Sequence, residues 1–176
     1  MFHLDKGKEY PKHTESRSII RFQDCDPLQH LNNSKYFDYY FNGREDQVAT
    51  LYNFKYAEIF KQYKTIWVVY QHQIAYLRPA MVNEWVRIFS RIIHHSDDTI
   101  MTEFYMTDDS MSELKNVLVT TSKYIDVNTG RRISHFPFVS DFLDATSAEN
   151  IPIEEYDFNK RIKTIKQELL QKYASL

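Results

Sequence analysis

The sequence predicts an α+β fold: one long helix laid against an antiparallel sheet, with an amphipathic helix added at the C-terminus. Three observations carry this. After Ser34 the apolar residues recur at three- and four-residue intervals. From Thr65 to Asp126, four stretches rich in β-branched and aromatic residues follow one another, separated by turn signals. Beyond Pro137 helical spacing returns. Strands joined by short turns pair antiparallel, and a helix preceding them buries its apolar stripe on the sheet they form.

In chain order, residues 1–15 are polar and read as a loose lead-in. Ser16–Gln23 reads as a strand with Ile19, Ile20 and Phe22 as its apolar members. From Lys35 to Asn53 the positions Phe37, Tyr40, Phe41, Val48 and Leu51 define a helix with one buried stripe, and Phe54–Tyr63 forms a second, short one. Thr65–Leu77 is a strand stopped by Arg78-Pro79. Glu84–His95 alternates, with Val86, Ile88 and Ile92 on one side and Arg87, Phe89 and Arg91 on the other. Ser96-Asp97-Asp98 turns the chain into Thr99–Thr107, where Ile100, Thr102, Phe104 and Met106 share a face. Asp108-Asp109-Ser110 turns it again into Lys115–Asp126, closed by Asn128-Thr129-Gly130. Phe138–Ile153 reads as a connector with one helical turn. Glu154–Tyr173 carries Phe158, Ile162, Ile165, Leu169 and Tyr173 at helical spacing with Lys and Arg between them. The organisation expected is a lead-in over 1–15, one domain over 16–137, and a connector with terminal helix over 138–176.

Composition narrows the function. A net charge of −2 argues against a nucleic-acid binder. Three glycines cannot supply a Gly-rich phosphate loop, and a single cysteine excludes an internal disulfide or a multi-Cys metal site. The histidines lack metal-ligand spacing, so no metal is expected. No apolar run reaches membrane-spanning length and the N-terminus is unlike a signal peptide, so a cytoplasmic protein with no membrane role is the expectation.

The chemistry concentrates between the first strand and the long helix, in Asp24-Cys25-Asp26-Pro27-Leu28-Gln29-His30-Leu31-Asn32-Asn33-Ser34. Asp26 precedes a proline, which disfavours αR there, and Asn32, Asn33 and Ser34 are good N-cap residues. A carboxylate, an imidazole and a helix start therefore converge. A helix start offers free N–H groups and positive potential, which suit a developing oxyanion. Asp24 reads as structural, pairing with an arginine such as Arg44 or capping a turn. Cys25 is a poor nucleophile, because carboxylates on both sides raise a thiol's pKa. His30 either lines the site or holds the loop through a ring N–H bond, and Asn32 reads as a loop brace or cap.

Asp26-x-x-x-His30-x-Asn32-Asn33-x-x-Tyr36, followed by Gly43-Arg44, resembles the hotdog-fold thioesterases, and more narrowly the 4-hydroxybenzoyl-CoA thioesterase-like group with its long-chain acyl-CoA and acyl-ACP relatives. Ile74-Ala75-Tyr76-x-x-Pro79-Ala80 with Asn83-Glu84, and Thr129-Gly130-Arg131-Arg132-Ile133, are weaker echoes of the same group. The resemblance implies a hotdog fold over residues 16–137 and hydrolysis of an acyl-CoA to a free acid and CoA. In that scheme Asp26 is nucleophile or general base, the Asn33 backbone N–H polarises the thioester carbonyl, and His30 belongs to the site. It implies no cofactor beyond the CoA of the substrate, and a homodimer or homotetramer with sheets joined edge to edge. Tyr36, Tyr40 and Trp67 are candidates to line the acyl pocket, and Asn32 to contact substrate. Arg87 and Arg91, like Arg131 and Arg132, read first as solvated charges. Arg131 and Arg132 are carried as candidate contacts to CoA phosphates, which arginine's fork suits. Two positions depart from the pattern: Gln29 stands where some branches have glycine, and Leu28 where the acyl-ACP branch has a catalytic asparagine. Acyl-ACP hydrolysis and non-catalytic binding of acyl thioesters are the alternatives. A hydratase is disfavoured by the Asp-to-His interval and the missing Asn-Pro pair.

Overall fold

The computed structural model describes residues 7–173, with the side chains of residues 172 and 173 outside the description. The elements are β1 (Thr14–Ile19), α1 (Tyr36–Tyr52), α2 (Tyr56–Tyr63), β2 (Thr65–Tyr76), β3 (Trp85–His95), β4 (Thr99–Asp108), β5 (Leu114–Asp126), α3 (Pro137–Thr146) and α4 (Phe158–Tyr173). The strands form one antiparallel sheet in the order β1-β3-β4-β5-β2, so β1 and β2 are its edges. Among the described residues, no helix is long and apolar enough to cross a membrane.

The inner face carries α1. Val86, Ile88, Phe104, Met106 and Leu118 of the sheet pack against Tyr36 and Tyr40. Towards the other end of α1, Val48 and Tyr52 meet Ile92, Tyr124, Phe54, Phe142 and Leu143. The single apolar stripe expected for α1 is not what the helix buries. Phe41 and Leu51 sit at its margin, about a third exposed, while Arg44 and Gln47 lie beneath it. Both are bonded there. The Gln47 Oε1 accepts from the hydroxyls of Thr14 and Ser90, each at 2.6 Å, and the Arg44 guanidinium donates to Ser90 Oγ at 3.2 Å. Burial of such groups is tolerated because each finds a partner. Gly43 lets the helix approach this closely: a Cβ there would stand 3.1 Å from Ser16 Oγ and 3.4 Å from Ile88 Cγ2.

Four sequence expectations change. β1 ends at Ile19, and a short 3₁₀ turn over Phe22–Asp24 leaves Phe22 80% exposed rather than in the strand. Of the lead-in, residues 1–6 lie outside the described residues, whereas Tyr10 is buried against Tyr52. The connector contains a ten-residue helix, α3, with proline in its first turn and Val139, Phe142 and Leu143 buried on one side. Arg91 is not a solvated charge: it is buried on the outer face beneath α4. Tyr173, placed on the apolar stripe of α4, has a side chain outside the described residues.

That outer face joins apolar and ionic contacts. Phe89, Tyr105 and Val117 pack against Ile165 and Leu169 of α4. Beside them Glu103, fully buried, accepts from Arg91 Nε at 2.6 Å and Arg161 Nε at 2.7 Å. Arg161 continues to Glu149 and Arg91 to Glu168. Arg87, four residues before Arg91, stays half-exposed and paired with Glu15 and Asp109. Removing one member of a buried ionic cluster leaves its partners uncompensated. Glu103→Gln is therefore expected to lower stability by about 3 kcal/mol, seen as a lower urea midpoint at unchanged slope.

Candidate active site

After the 3₁₀ turn the chain folds back on itself. Cys25 and Leu31 form an antiparallel bridge, and within it the Asp26 N–H donates to the His30 carbonyl at 2.8 Å. The Asp26 side chain closes the same loop. Its Oδ1 accepts the N–H of Leu28 at 2.9 Å and of His30 at 3.0 Å, an arrangement typical of aspartate before a tight turn. Oδ2 takes no hydrogen bond among the described residues. One oxygen holds the loop and the other is left for chemistry.

Asn32 then braces the turn that leads into α1, whose N-cap position is Lys35. The Asn32 Oδ1 accepts the backbone N–H and the hydroxyl of Ser34, and its carbonyl accepts the Lys35 N–H, making a turn over residues 33–35 that runs into the helix. The Asn33 N–H is the first amide of that turn. It has no acceptor among the described residues. The Asn33 carbonyl accepts the Tyr76 hydroxyl at 2.9 Å.

Asp26, His30, Asn33 and Tyr36 line one cleft of about 260 Å³, whose far wall is the end of β2 and the segment after it, Tyr76 to Pro79. The Tyr36 and Tyr76 rings meet edge to face, with centroids 5.3 Å apart. The His30 ring is half-buried and has no hydrogen-bond partner among the described residues; its backbone, not its ring, holds the loop. The cleft is thus lined by a residue with an unengaged carboxylate oxygen and by one with an unengaged backbone N–H among the described residues, just before a helix, groups of the kind suited to attack on a carbonyl carbon.

Other candidates lie elsewhere. Tyr40 is core: fully buried, its hydroxyl donates to Asn116 Oδ1 at 2.8 Å. Asn32 is used to brace the turn before α1 and does not line the cleft. Trp67 packs on Tyr124 and donates from Nε1 to His135 Nε2 at 3.0 Å. It stands near the start of β2, where Thr65 faces Asp126, whereas the cleft is at the end where Tyr76 faces Asn116. At about 3.3 Å per residue those ends are roughly 35 Å apart. Arg131 and Arg132 follow β5 at the remote end, with Arg132 held by Asp98 at 2.7 Å. Asp24 does not pair with Arg44. It accepts the Tyr39 hydroxyl at 3.0 Å and lies 3.8 Å from Lys35 Nζ. The Cys25 thiol donates to the Arg21 carbonyl, and burial, then Asp24 and Asp26, push its pKa up. Tyr76 and Arg78 line the cleft without having been singled out as site residues; the motif around Pro79 was the available signal.

Residues 20–169 match the family model of the thioesterase-like superfamily. No curated protein matches the sequence. Solved structures do. The YbaW probable thioesterase from Escherichia coli is 20% identical with a TM-score of 0.66, over 75% of this chain and 97% of that one. The DHNA-CoA thioesterase from Staphylococcus aureus is 17% identical, TM-score 0.67, over 89% and 94%. The 12:0-ACP thioesterase from Umbellularia californica is 14% identical, TM-score 0.71, over 82% of this chain and 55% of that one, so this chain spans about half its length. These likenesses concern the fold, which is the hotdog expected from the sequence.

Within the Asp26 loop, Gln29 adopts φ +65°. It is the position where the resemblance would have a glycine. A left-handed non-glycine residue costs roughly 1–2 kcal/mol, partly offset by the extra chain entropy that glycine loses on folding. Gln29→Gly is expected to raise stability by up to about 1 kcal/mol, and Gln29→Val to lower it, both read from thermal unfolding.

Proposed function

Because the chain belongs to the thioesterase-like superfamily and is on that ground a thioester hydrolase, we propose that it cleaves acyl-CoA to a free acid and CoA in the Asp26–Asn33 cleft. The observation that carries this reading is the shared cleft itself, lined by Asp26 and Asn33, whose Oδ2 and backbone N–H have no partner among the described residues.

In this scheme the thioester carbonyl accepts the Asn33 N–H. Asp26 Oδ2 then either attacks the carbonyl carbon or takes a proton from the water that does. Negative charge moves onto the carbonyl oxygen, against the N–H and the positive end of α1. Collapse of the tetrahedral species expels the thiolate of CoA, a modest base that needs no strong acid to leave. Where water attacked, this gives the free acid directly; where Asp26 attacked, it leaves a mixed anhydride on Asp26, which water then hydrolyses to the free acid and the original carboxylate. The His30 ring, free on the cleft wall, is placed to hydrogen-bond the departing sulfur. Tyr36 and Tyr76 flank the acyl group. No metal or redox cofactor enters the chemistry.

A homodimer or homotetramer formed through β2 accompanies this reading. The strand is an edge and exposes Val69 and Tyr70 at 51% and 70%, a row that invites a second copy. A cytoplasmic setting suits a CoA ester.

The test is thiol release from a panel of acyl-CoAs, with acyl-ACP alongside. Asp26→Asn is expected to reduce kcat by about 10²–10⁴. Asn33→Pro deletes the backbone donor in the turn before α1, where that N–H makes no bond among the described residues, and is expected to cost about 10²–10³ in kcat. Binding without turnover by the wild-type chain would point to a carrier of acyl thioesters instead.

A further inference from the structure

The Asp26–His30 loop does not support itself. It lies on the segment from Pro79 to Glu84: the Leu31 N–H donates to the Ala80 carbonyl at 2.8 Å, the Val82 N–H to the Gln29 carbonyl at 2.9 Å, and His30 bridges Met81. That segment contains no regular secondary structure. Ile20 pairs with its far end, the Asn83 N–H donating to the Ile20 carbonyl and the Ile20 N–H to the Glu84 carbonyl, each at 2.9 Å, and the Ala80 N–H donates to the Tyr36 hydroxyl. The side-chain anchor that joins its two ends comes from β5. Lys115, buried, donates from Nζ to the Pro79 carbonyl at 3.0 Å and meets Glu84 Oε1 at 2.8 Å and Glu113 Oε2 at 3.0 Å. The other oxygen of Glu84 accepts the Met81 N–H at 2.7 Å. One ammonium therefore grips both ends of the bed beneath the loop, and its three donors are all used.

The backbone is shaped for this. The ladder between β4 and β5 steps from Met106 opposite Asn116 to Thr107 opposite Leu114, leaving Lys115 as the extra residue of a bulge. Its carbonyl accepts the N–H groups of both Leu77 and Arg78, the cleft wall facing Asp26. Bulges of this kind re-aim a side chain and recur next to active sites. A methionine would fill the same space without the charge, so burying a lysine here serves geometry rather than packing.

We propose that Lys115 is a positioning residue for thioester hydrolysis: through Pro79, Glu84 and Met81 it sets the height of the Asp26–His30 loop against the Asn33 N–H. The proposal rests on the reading of the cleft given above. It assigns Lys115 no contact with substrate, so its loss acts on kcat and leaves KM nearly unchanged.

The experiment uses the full chain and four variants, Lys115→Met, Lys115→Arg, Glu84→Gln and Leu143→Ala, the last a core truncation away from the cleft. On the acyl-CoA that the wild type turns over best, Lys115→Met is expected to lower kcat by about 10², the cost of displacing a reacting group by about 1 Å, with KM within about threefold. Lys115→Arg should recover part of that loss, and Glu84→Gln should move kcat in the same direction. Leu143→Ala should lose stability while keeping its kcat. Amide exchange at Leu31 and Val82 should accelerate in Lys115→Met and remain unchanged at β4. The proposal is overturned if folded Lys115→Met keeps kcat within about threefold of wild type, or if its loss is matched by Leu143→Ala. Should Lys115→Met fail to fold, Glu84→Gln decides by the same criteria. If the wild type releases no thiol from any substrate, the functional reading fails by itself, and the exchange pattern still decides whether Lys115 holds the loop.

Discussion

The start of α1 is clamped between the sheet and the segment that follows β2, and the cleft inherits its geometry from that clamp. Tyr36 and Tyr40, one turn apart and both buried, have different anchors: the Tyr36 hydroxyl accepts the Ala80 N–H, and the Tyr40 hydroxyl donates to Asn116 of β5. Their rings pack on Phe104, Leu118 and Tyr76, so the helix can neither roll nor slide without opening a void in a close-packed interior. Because the helix start is held in place, an amide in the turn that leads into it can be a fixed dipole rather than a mobile one. A fixed dipole is what stabilises a charge that appears only during reaction.

The two faces of the sheet are secured by different physics. Inside, aromatic and aliphatic packing dominates, with a short belt of hydroxyl and amide groups where α1 crosses β1 and β3. Outside, α4 is held by an apolar strip and by Glu103 between two arginines. Ionic clusters of this kind add little net stability compared with an apolar core of the same volume, yet removing one partner leaves an uncompensated buried charge.

Much of this was legible in the sequence because it is local. Period-two runs gave four strands nearly to the residue, the spacing after Ser34 gave α1, and the dense polar stretch from Asp24 to Ser34 gave the loop that carries Asp26. What was illegible depends on partners distant in the chain. Arg91 reads as solvent-exposed until Arg161 and Glu103 are brought beside it. Trp67 and Tyr40 have the right chemistry for an acyl pocket, but an antiparallel pairing places one at the far end of β2 and the helix phase sinks the other into the core. The left-handed Gln29 and the bulge at Lys115 leave no compositional trace, since neither position carries the glycine that would announce it.

The covering of the outer face by α4 has one more consequence. A shortened chain stopping before residue 150 would not be a leaner version of the same molecule. It would present Phe89, Tyr105 and Val117 to water beside a stranded Arg91–Glu103 pair, an adhesive flat surface with nothing to shield it. The terminal helix is thereby as much a guard against clumping as a structural prop, and trimming this protein to its minimal fold would exchange solubility for brevity.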